Sequence, residues 1–144
     1  MQTVKIIALG KLKEDYLRAA CAEYGKRLQG HCKLEIIELE PQRTLEQEAT
    51  LITGKLGKQA SVCALCVEGR PLTSEQFAAW LAKQPSEVDF IIGSSHGLCE
   101  NVKTRADLRL SMSAMTFPHQ FARTILLEQI YRAYSINGGG KYHK

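Results

Sequence analysis

The sequence predicts an α/β protein in which a mostly parallel sheet is flanked by helices on both faces. β-rich runs alternate with stretches of helical periodicity from the start of the chain, and short connections join them. The run at residues 61–67 is apolar throughout, which is typical of a strand buried on both faces. With 144 residues, 44% of them hydrophobic, the chain suits a single domain over residues 1–144.

Five short runs predict the strands of this sheet. They are rich in β-branched and other apolar residues, and polar or glycine-containing segments separate them, as expected for strands joined by helices. The predicted strands are residues 4–9, 33–39, 61–67, 89–92 and 108–111.

Five segments predict helices between and after these strands. Apolar residues recur every three or four positions in the longer segments, and Thr73 with Gln76 forms a capping box for the third helix. Pro85 ends that helix, and Pro118 stands at the start of the last one, where a missing N–H costs nothing. The predicted helices are residues 14–28, 45–58, 73–84, 100–105 and 119–135.

The last predicted helix is apolar around nearly its whole circumference. A helix without a polar face is buried on all sides, and a small monomer covers both sides with difficulty. We therefore expect a second copy of the chain to pack on it, although a deep core helix of a monomer explains the pattern equally well. The apolar residues are Phe121, Ala122, Ile125, Leu126, Leu127, Ile130, Tyr131, Ala133 and Tyr134.

Nothing in the sequence predicts a membrane protein or an exported one. The longest apolar runs are far shorter than the roughly 20 residues of a membrane span, and residues 1–10 lack a signal peptide's charged start and cleavage site. The five cysteines have no framework spacing, so we expect reduced thiols and a cytoplasmic protein. Cys63 and Cys66 point to opposite faces of a predicted strand, which favours structural thiols over a metal site.

Positive charge is concentrated at the carboxyl-terminal end of the chain. Residues 103–144 carry seven Lys and Arg against two Asp and Glu, whereas residues 1–102 carry 12 against 13. A basic end of this kind suits a polyanion such as RNA, and a solvated basic face without a partner is equally consistent with the charge alone.

The segment at residues 110–120 predicts a ligand site. A short strand ends there in small hydroxyl and sulfur-containing residues, a turn follows, and a helix begins after Pro118. Open α/β sheets bind their ligands at the carboxyl ends of their strands, and the free backbone groups of such a loop can hold a small polar ligand.

The usual nucleotide-binding signatures are missing from the chain. It has neither a Gly-x-x-x-x-Gly-Lys-Ser/Thr loop nor a Gly-x-Gly-x-x-Gly turn after the first strand. Gly93-Ser-Ser-His-Gly97 is a formal match to the nucleophile elbow of a hydrolase, with Ser95 in the middle. A close backbone approach at Gly93 is the favoured interpretation, because the flanking sequence is typical of a flexible loop.

The last seven residues form an unusual tail. Three glycines at 138–140 give it mobility, and Tyr142, His143 and Lys144 bring a stacking ring, a proton-transfer group and a cation. Composition alone leaves two possibilities open, a tail that folds over a bound nucleotide and a frayed terminus.

Several segments, taken together, resemble those of one known family. On them, the whole chain resembles the ribosomal RNA large subunit methyltransferases H of the SPOUT superfamily, which methylate N3 of a pseudouridine in 23S rRNA. The segments are Ile6-Ile-Ala-Leu-Gly-Lys-Leu-Lys13, Phe90-Ile-Ile-Gly93 with Gly97-Leu98, residues 110–120, Arg123 with Leu127-Glu-Gln-Ile-Tyr-Arg-Ala133, and Tyr142-His-Lys144.

The resemblance implies a SPOUT-type α/β domain with a deep trefoil knot near its carboxyl end, a homodimer, and S-adenosylmethionine as methyl donor without a metal. It also implies 23S rRNA of the large ribosomal subunit as the substrate. By similarity to the family, the donor is expected to contact Leu65, Gly93, Met112, Ser113, Ala114, Met115, Thr116 and Phe117.

For the chemistry, we expect the tail and the last helix to supply the catalytic residues. His143, or Tyr142 beside it, is expected to contact the pseudouridine and assist removal of its N3 proton. Arg123 is expected to hold phosphate or to stabilise the developing anion. The alternatives are a non-catalytic RNA-binding dimer that uses the basic end and a hydrolase built on Ser95.

The chain departs from the family pattern in two places. Ser94 replaces a usual glycine and is expected to narrow the donor pocket slightly, and the segment around residues 41–45 is shortened. Neither change touches a residue with an expected role in the chemistry.

Overall fold

The computed structural model describes residues 1–144 and confirms the α/β class. Strands and helices alternate in the predicted order, with five of each. The strands are β1 (Thr3–Leu9), β2 (Lys33–Leu39), β3 (Ser61–Pro71), β4 (Glu87–Ile92) and β5 (Leu108–Ser111). The helices are α1 (Asp15–Leu28), α2 (Leu45–Lys55), α3 (Ser74–Ala82), α4 (Glu100–Arg105) and α5 (His119–Asn137).

The sheet is parallel throughout, with the strand order β2-β1-β4-β3-β5. Parallel strands share one carboxyl edge, and β3 lies between β4 and β5. The loops that follow these three strands are therefore neighbours at that edge, where α/β sheets place their sites.

Helices cover both faces of the sheet and divide the core into two layers. Because side chains alternate along a strand, Ile6 faces one layer with α1, α3 and α5, while Ile7 faces the other with α2 and α4. Phe90 and Ile91 divide in the same way on β4. Each of these side chains is fully buried, which contributes roughly 1.5–3 kcal/mol apiece to the free energy of unfolding.

β3 is longer than the sequence predicts, because it pairs with β5 twice. The register shifts between Leu65 and Arg70, and the strand then continues to Pro71. A Cβ at Gly69 would lie 2.7 Å from the carbonyl oxygen of Arg109, so only glycine fits this irregularity. The residues between the two paired stretches reach the carboxyl edge beside β5.

One face of the last helix is buried by its own chain. α5 packs on α1 and α3 through Leu126, Leu127, Ile130 and Ala133, whereas Phe121 keeps 40% of its surface exposed. Packing of a second copy on this helix stays a prediction, as does the trefoil knot.

A pair of acidic side chains, Glu87 and Asp89, lies at the amino end of the sheet, opposite the site loops. Asp89 is fully buried, and its Oδ2 accepts a hydrogen bond from the backbone N–H of Gly57 at 2.9 Å. Lys5 Nζ lies 3.2 Å from Glu87 and 3.9 Å from Asp89. Burial, and then the neighbouring Glu87 carboxyl, raise the pKa of Asp89 to about 7. The two carboxyls therefore share a proton over most of the range below neutral pH.

Candidate functional site

A cavity of about 650 Å³ opens where the loops after β3, β4 and β5 meet. Its walls are the end of β3, the loop between β4 and α4, the segment before α5 and the first turn of α5. Small-molecule and cofactor sites occupy about 300–1,000 Å³. The cavity lies at the carboxyl edge of the sheet, where the sequence predicts a ligand site.

The structure brings together seven of the eight residues that are predicted to contact a methyl donor. They come from three segments that are distant in sequence, and only Ala114 is outside the lining. Contact between them and a donor stays a prediction. The seven lining residues are Leu65, Gly93, Met112, Ser113, Met115, Thr116 and Phe117.

Gly93 is the point at which backbone packs against backbone at the edge of the cavity. A Cβ there would lie 2.5 Å from the carbonyl oxygen of Gly97 and 3.0 Å from Leu98 Cδ2. The loop folds back on itself through an isolated bridge between Ser94 and Gly97, and Gly97 has a φ of +85°. The close approach predicted for Gly93 is therefore confirmed.

The same loop lacks the geometry of a nucleophile elbow. Ser95 is exposed and hydrogen-bonds to no histidine or acid, and α4 begins only at Glu100. An elbow requires a helix directly after the serine and a base beside it. The hydrolase alternative has no support in this arrangement.

Ser94 ties the loop to the helix layer below it. Its hydroxyl donates to Glu48 Oε1 at 3.2 Å, and Glu48 Oε2 accepts the backbone N–H of Gln42 at 3.0 Å. Glu48 is buried, so these two hydrogen bonds satisfy a carboxylate that water hardly reaches. The side chain that replaces the usual glycine lines the cavity and anchors the loop at the same time.

The segment before α5 is held by its own hydroxyl groups. Ser111 Oγ donates to the carbonyl oxygen of Ser113 at 3.0 Å, and the backbone N–H of Met115 donates to Ser113 Oγ at 3.0 Å. Such local hydrogen bonds fix a turn without helix or strand pairing. Met115 keeps 75% of its surface exposed at the cavity wall, where it is free to cover a ligand.

Sequence reasoning missed two charged residues of the lining, Glu68 and Lys103. Lys103 Nζ lies 2.5 Å from Glu68 Oε1, although 35 residues separate them. The ion pair lowers the pKa of Glu68 and raises that of Lys103, so both are charged at neutral pH. No motif or periodicity signals this pair, because it depends on how far β3 continues beside β5.

The tail residues lie outside the cavity of their own chain and pack along α5 and α3. The hydroxyl of Tyr142 donates to Glu128 Oε2 at 2.7 Å. His143 Nδ1 lies 2.9 Å from an Arg132 nitrogen, and its Nε2 lies 3.3 Å from Glu75 Oε1. The tail is docked along its own chain in this structure, so it is not a frayed terminus, and its folding over a bound nucleotide stays a prediction.

Arg123 is also outside the cavity lining, at the base of α5. Its side chain is 6% exposed and donates to Glu38 Oε2 at 2.6 Å and to the carbonyl oxygen of Gly10 at 3.0 Å. The ion pair joins α5 to the carboxyl ends of β1 and β2. The predicted phosphate contact of Arg123 stays a prediction, and it requires the guanidinium to exchange Glu38 for phosphate.

Much of the charge at the basic end is neutralised within the chain. Four of its seven cations are paired with carboxylates: Lys103 with Glu68, Arg105 with Asp107, Arg123 with Glu38, and Arg132 with Glu128. The remaining three, Arg109, Lys141 and Lys144, are exposed and form no ion pair. Free cations for a polyanion are therefore fewer than the sequence suggests.

The structure has neither a helix suited to span a membrane nor a cluster of side chains suited to bind a metal ion. No helix has the length and apolar character needed to cross a bilayer. No cluster of three or more His, Cys, Asp and Glu side chains is arranged to hold a metal ion.

The structure is thus an α/β protein with a cavity of the size of a small-molecule site, built from three loops at the carboxyl edge of a parallel sheet. The family described as "Predicted SPOUT methyltransferase" matches residues 1–143. The chain therefore belongs to the SPOUT methyltransferase family, as the sequence resemblance implies.

Two curated relatives that are similar over nearly their full length carry the same name. The chain is 45% identical to "Ribosomal RNA large subunit methyltransferase H" of Clostridioides difficile (strain 630), and the match covers 98% of this chain and 99% of that protein. It is 46% identical to the protein of that name in Bifidobacterium adolescentis, over the same shares of both chains.

A solved structure shows the same fold at low sequence identity. The probable methylase family protein of Haemophilus influenzae Rd KW20 superposes with a TM-score of 0.60 at 10% identity, covering 98% of this chain and 70% of that one. At this level of identity the likeness supports the fold alone.

Proposed function

We propose that the protein is an S-adenosylmethionine-dependent methyltransferase that methylates N3 of a pseudouridine in 23S rRNA on the large ribosomal subunit. The observation that carries this proposal is the cavity, because three separate loops converge there and supply seven of the predicted donor contacts. The names of the full-length relatives support ribosomal RNA as the substrate. A ribosomal substrate implies work in the cytoplasm.

The lining of the cavity fits such a donor. Adenine needs an apolar slot with backbone hydrogen-bond partners, and Leu65, Met112 and Phe117 supply apolar walls beside exposed backbone. At Gly93 the missing side chain lets the loop fold back against Gly97, which shapes this wall of the cavity. Bound there, the donor supplies an electrophilic methyl group on a sulfonium, and no metal is needed.

The chain's own task is then to align the acceptor base and to accept its N3 proton. His143 suits the second role, because an imidazole exchanges protons near neutral pH. Arginine only donates, so the Arg132 contact means that Nδ1 of His143 carries a free electron pair and Nε2 carries the proton. To act as a base, Nδ1 exchanges Arg132 for the acceptor.

Tyr142 suits a different role in the proposal. Burial, and then the hydrogen bond to Glu128, raise the pKa of this phenol, so it stays protonated at neutral pH. A protonated phenol donates a hydrogen bond or stacks on a base but does not take a proton. We assign Tyr142 to holding the pseudouridine while His143 removes the proton.

The proposal also includes a homodimer and a phosphate contact by Arg123. An exposed aromatic pair supports a second copy, because Phe121 on α5 is 40% exposed and its ring lies 6.1 Å from that of Tyr16, which is 60% exposed. Arg123 is charged and lies one turn into α5, so it reaches phosphate if Glu38 releases it.

Two measurements on the wild-type protein test the proposal. Isothermal titration calorimetry should show that S-adenosylmethionine binds at one site, and 5′-adenosine compounds should compete with it for that site. Radiolabelled methyl transfer to large subunits that lack the modification should follow, and mapping should place the label on N3 of a pseudouridine. If S-adenosylmethionine does not bind, the proposed methyltransferase function is wrong.

The competing function is an RNA-binding dimer without catalysis. It predicts binding to RNA with no donor affinity, and it depends on the free cations at the basic end. The paired cations limit RNA binding equally in both functions, whereas the cavity has a role only in the enzyme and therefore supports it. The calorimetric experiment separates the two.

A further inference from the structure

Glu68 and Lys103 are the only acid and the only ammonium or guanidinium among the residues that line the cavity. The rest of the lining is apolar, hydroxyl, sulfur, imidazole or backbone. The Lys103 side chain is 15% exposed and the Glu68 side chain 61% exposed. The cation is thus held within the wall, and the acid stands at the mouth.

The two members of the pair come from different elements of the cavity wall. Glu68 lies in the irregular stretch of β3 that Gly69 permits, and Lys103 lies on α4. Lys103 has a second carboxylate nearby, with Glu100 Oε1 at 3.7 Å, which does not line the cavity. Opening of the pair therefore leaves Lys103 partly compensated, so the cost of separating it from Glu68 is small.

We propose that Glu68 and Lys103 bind the amino acid end of the methyl donor. This inference rests on the proposed function of the cavity. An α-amino acid carries an ammonium and a carboxylate on the same carbon. These two charges are complementary to the neighbouring carboxylate of Glu68 and ammonium of Lys103. The ligand's carboxylate replaces Glu68 at Lys103, and the ligand's ammonium donates to Glu68, so two charge-assisted hydrogen bonds form with no change of net charge.

The assignment makes this pair a determinant of specificity. A nucleoside that lacks the amino acid end leaves the ion pair closed and gains nothing from it. A ligand that carries both charges exchanges one ion pair for two. The cavity therefore distinguishes S-adenosyl amino acids from other adenosine thioethers through these two charged residues.

The test compares ligands and variants by calorimetry on the full-length protein. The ligands are S-adenosylhomocysteine, which has the amino acid end, and 5′-methylthioadenosine, which lacks it. Lys103→Gln and Glu68→Gln should each weaken S-adenosylhomocysteine binding by about fivefold and leave 5′-methylthioadenosine unchanged. Decarboxylated S-adenosylmethionine, which keeps only the ammonium, should respond to Glu68→Gln and not to Lys103→Gln.

Glu100→Gln is the matched control, because it removes the other carboxylate near Lys103 without changing the lining. It should leave the affinity of all three ligands within about twofold of wild type. Equal weakening of both adenosine thioethers in the two cavity variants would mean that the pair only shapes the wall, and unchanged affinities would mean that it does not touch the ligand. Either result overturns the inference, whereas a wild-type protein that binds none of the ligands refutes the proposed function instead.

Discussion

The two ends of the parallel sheet contain charged groups in opposite situations. At the amino end, Asp89 is fully buried and has fixed contacts with Glu87, Lys5 and the backbone of Gly57. At the carboxyl end, a cavity of about 650 Å³ separates the loops, and the ion pair in its wall is partly exposed. We call the amino end closed, because its charged groups contact only one another and the backbone, and the carboxyl end open, because its charged groups line a cavity.

The difference shows which charged cluster can exchange partners for a ligand. A buried cluster that loses one member leaves an uncompensated charge, so its partners are fixed by the fold. Glu68 is largely in water and gives up its partner at little cost. A raised carboxyl pKa such as that of Asp89 is typical of functional sites, yet Asp89 lies at the amino end of the sheet, opposite the cavity.

The largest effect is expected from Gly93→Ala at the open end. The added Cβ lies 2.5 Å from the carbonyl oxygen of Gly97, so the loop has to shift into the cavity. Affinity for S-adenosylmethionine should fall about 100-fold, as measured by calorimetry. Gly54→Ala is the control, because a Cβ on that helical glycine meets nothing within 4 Å and should only stabilise α2.

Urea denaturation and circular dichroism would verify that the Gly93→Ala protein is folded. If it is not, Phe117→Ala, which trims the wall without moving backbone, gives the same comparison and should lower donor affinity. Wild-type affinity in either folded variant would contradict the location of the donor.

The next effect concerns His143, which packs on α5 and α3 in its own chain. His143→Ala should lower the rate of methyl transfer at least tenfold, because the N3 proton loses its acceptor. Donor affinity should stay near that of wild type, since His143 does not line the cavity. A single-turnover assay with large subunits measures the first quantity and calorimetry the second, and an unaltered rate would remove His143 from the chemistry.

Lys144→Ala is the control for the tail. It removes an exposed, unpaired cation beside His143 and leaves the imidazole in place. It should weaken ribosome binding slightly and leave the rate of the chemical step unchanged. A loss in this variant equal to that of His143→Ala would mean that the tail acts through charge.

At the closed end, Asp89→Asn should change stability without affecting methyl transfer. The pKa of Asp89 is about 7 in the folded protein and close to its ordinary value of 3.8 when unfolded. Between these values the unfolded chain releases a proton that the folded one keeps, so the free energy of unfolding falls as pH rises from about 4 to 7. An amide has no proton to lose, and the variant should be about 1–3 kcal/mol more stable than wild type at pH 8.

Urea denaturation at pH 5 and pH 8 measures this effect. Asp15→Asn, an exposed substitution on α1, should retain the wild-type dependence on pH. A parallel dependence in Asp89→Asn and wild type would show that the carboxyl pair does not share a proton.

The sequence predicts the fold and most of the open end, because both depend on local patterns. The order of strands and helices follows from apolar runs and periodicity, and the cavity loops follow from the rule that sites lie at carboxyl strand ends. Glu68 with Lys103 and Glu87 with Asp89 could not be predicted as pairs. Their contacts depend on strand pairing and burial, which no single segment encodes, and the docking of the tail on α5 depends on tertiary packing in the same way.

The smallest effect is expected for Arg123, whose ion pair with Glu38 shares features with both ends of the sheet. The Arg123 side chain is only 6% exposed, as charged groups are at the closed end, but the pair lies at the carboxyl edge. If it exchanges Glu38 for one RNA phosphate, Arg123→Gln should reduce the slope of log affinity for RNA against log salt by about 0.7. Glu38→Gln should instead raise RNA affinity, because it frees the guanidinium and removes a negative charge. Fluorescence anisotropy with a fragment of 23S rRNA at several salt concentrations measures both slopes, and identical slopes for all three proteins would assign Arg123 to holding α5 on β1 and β2 alone.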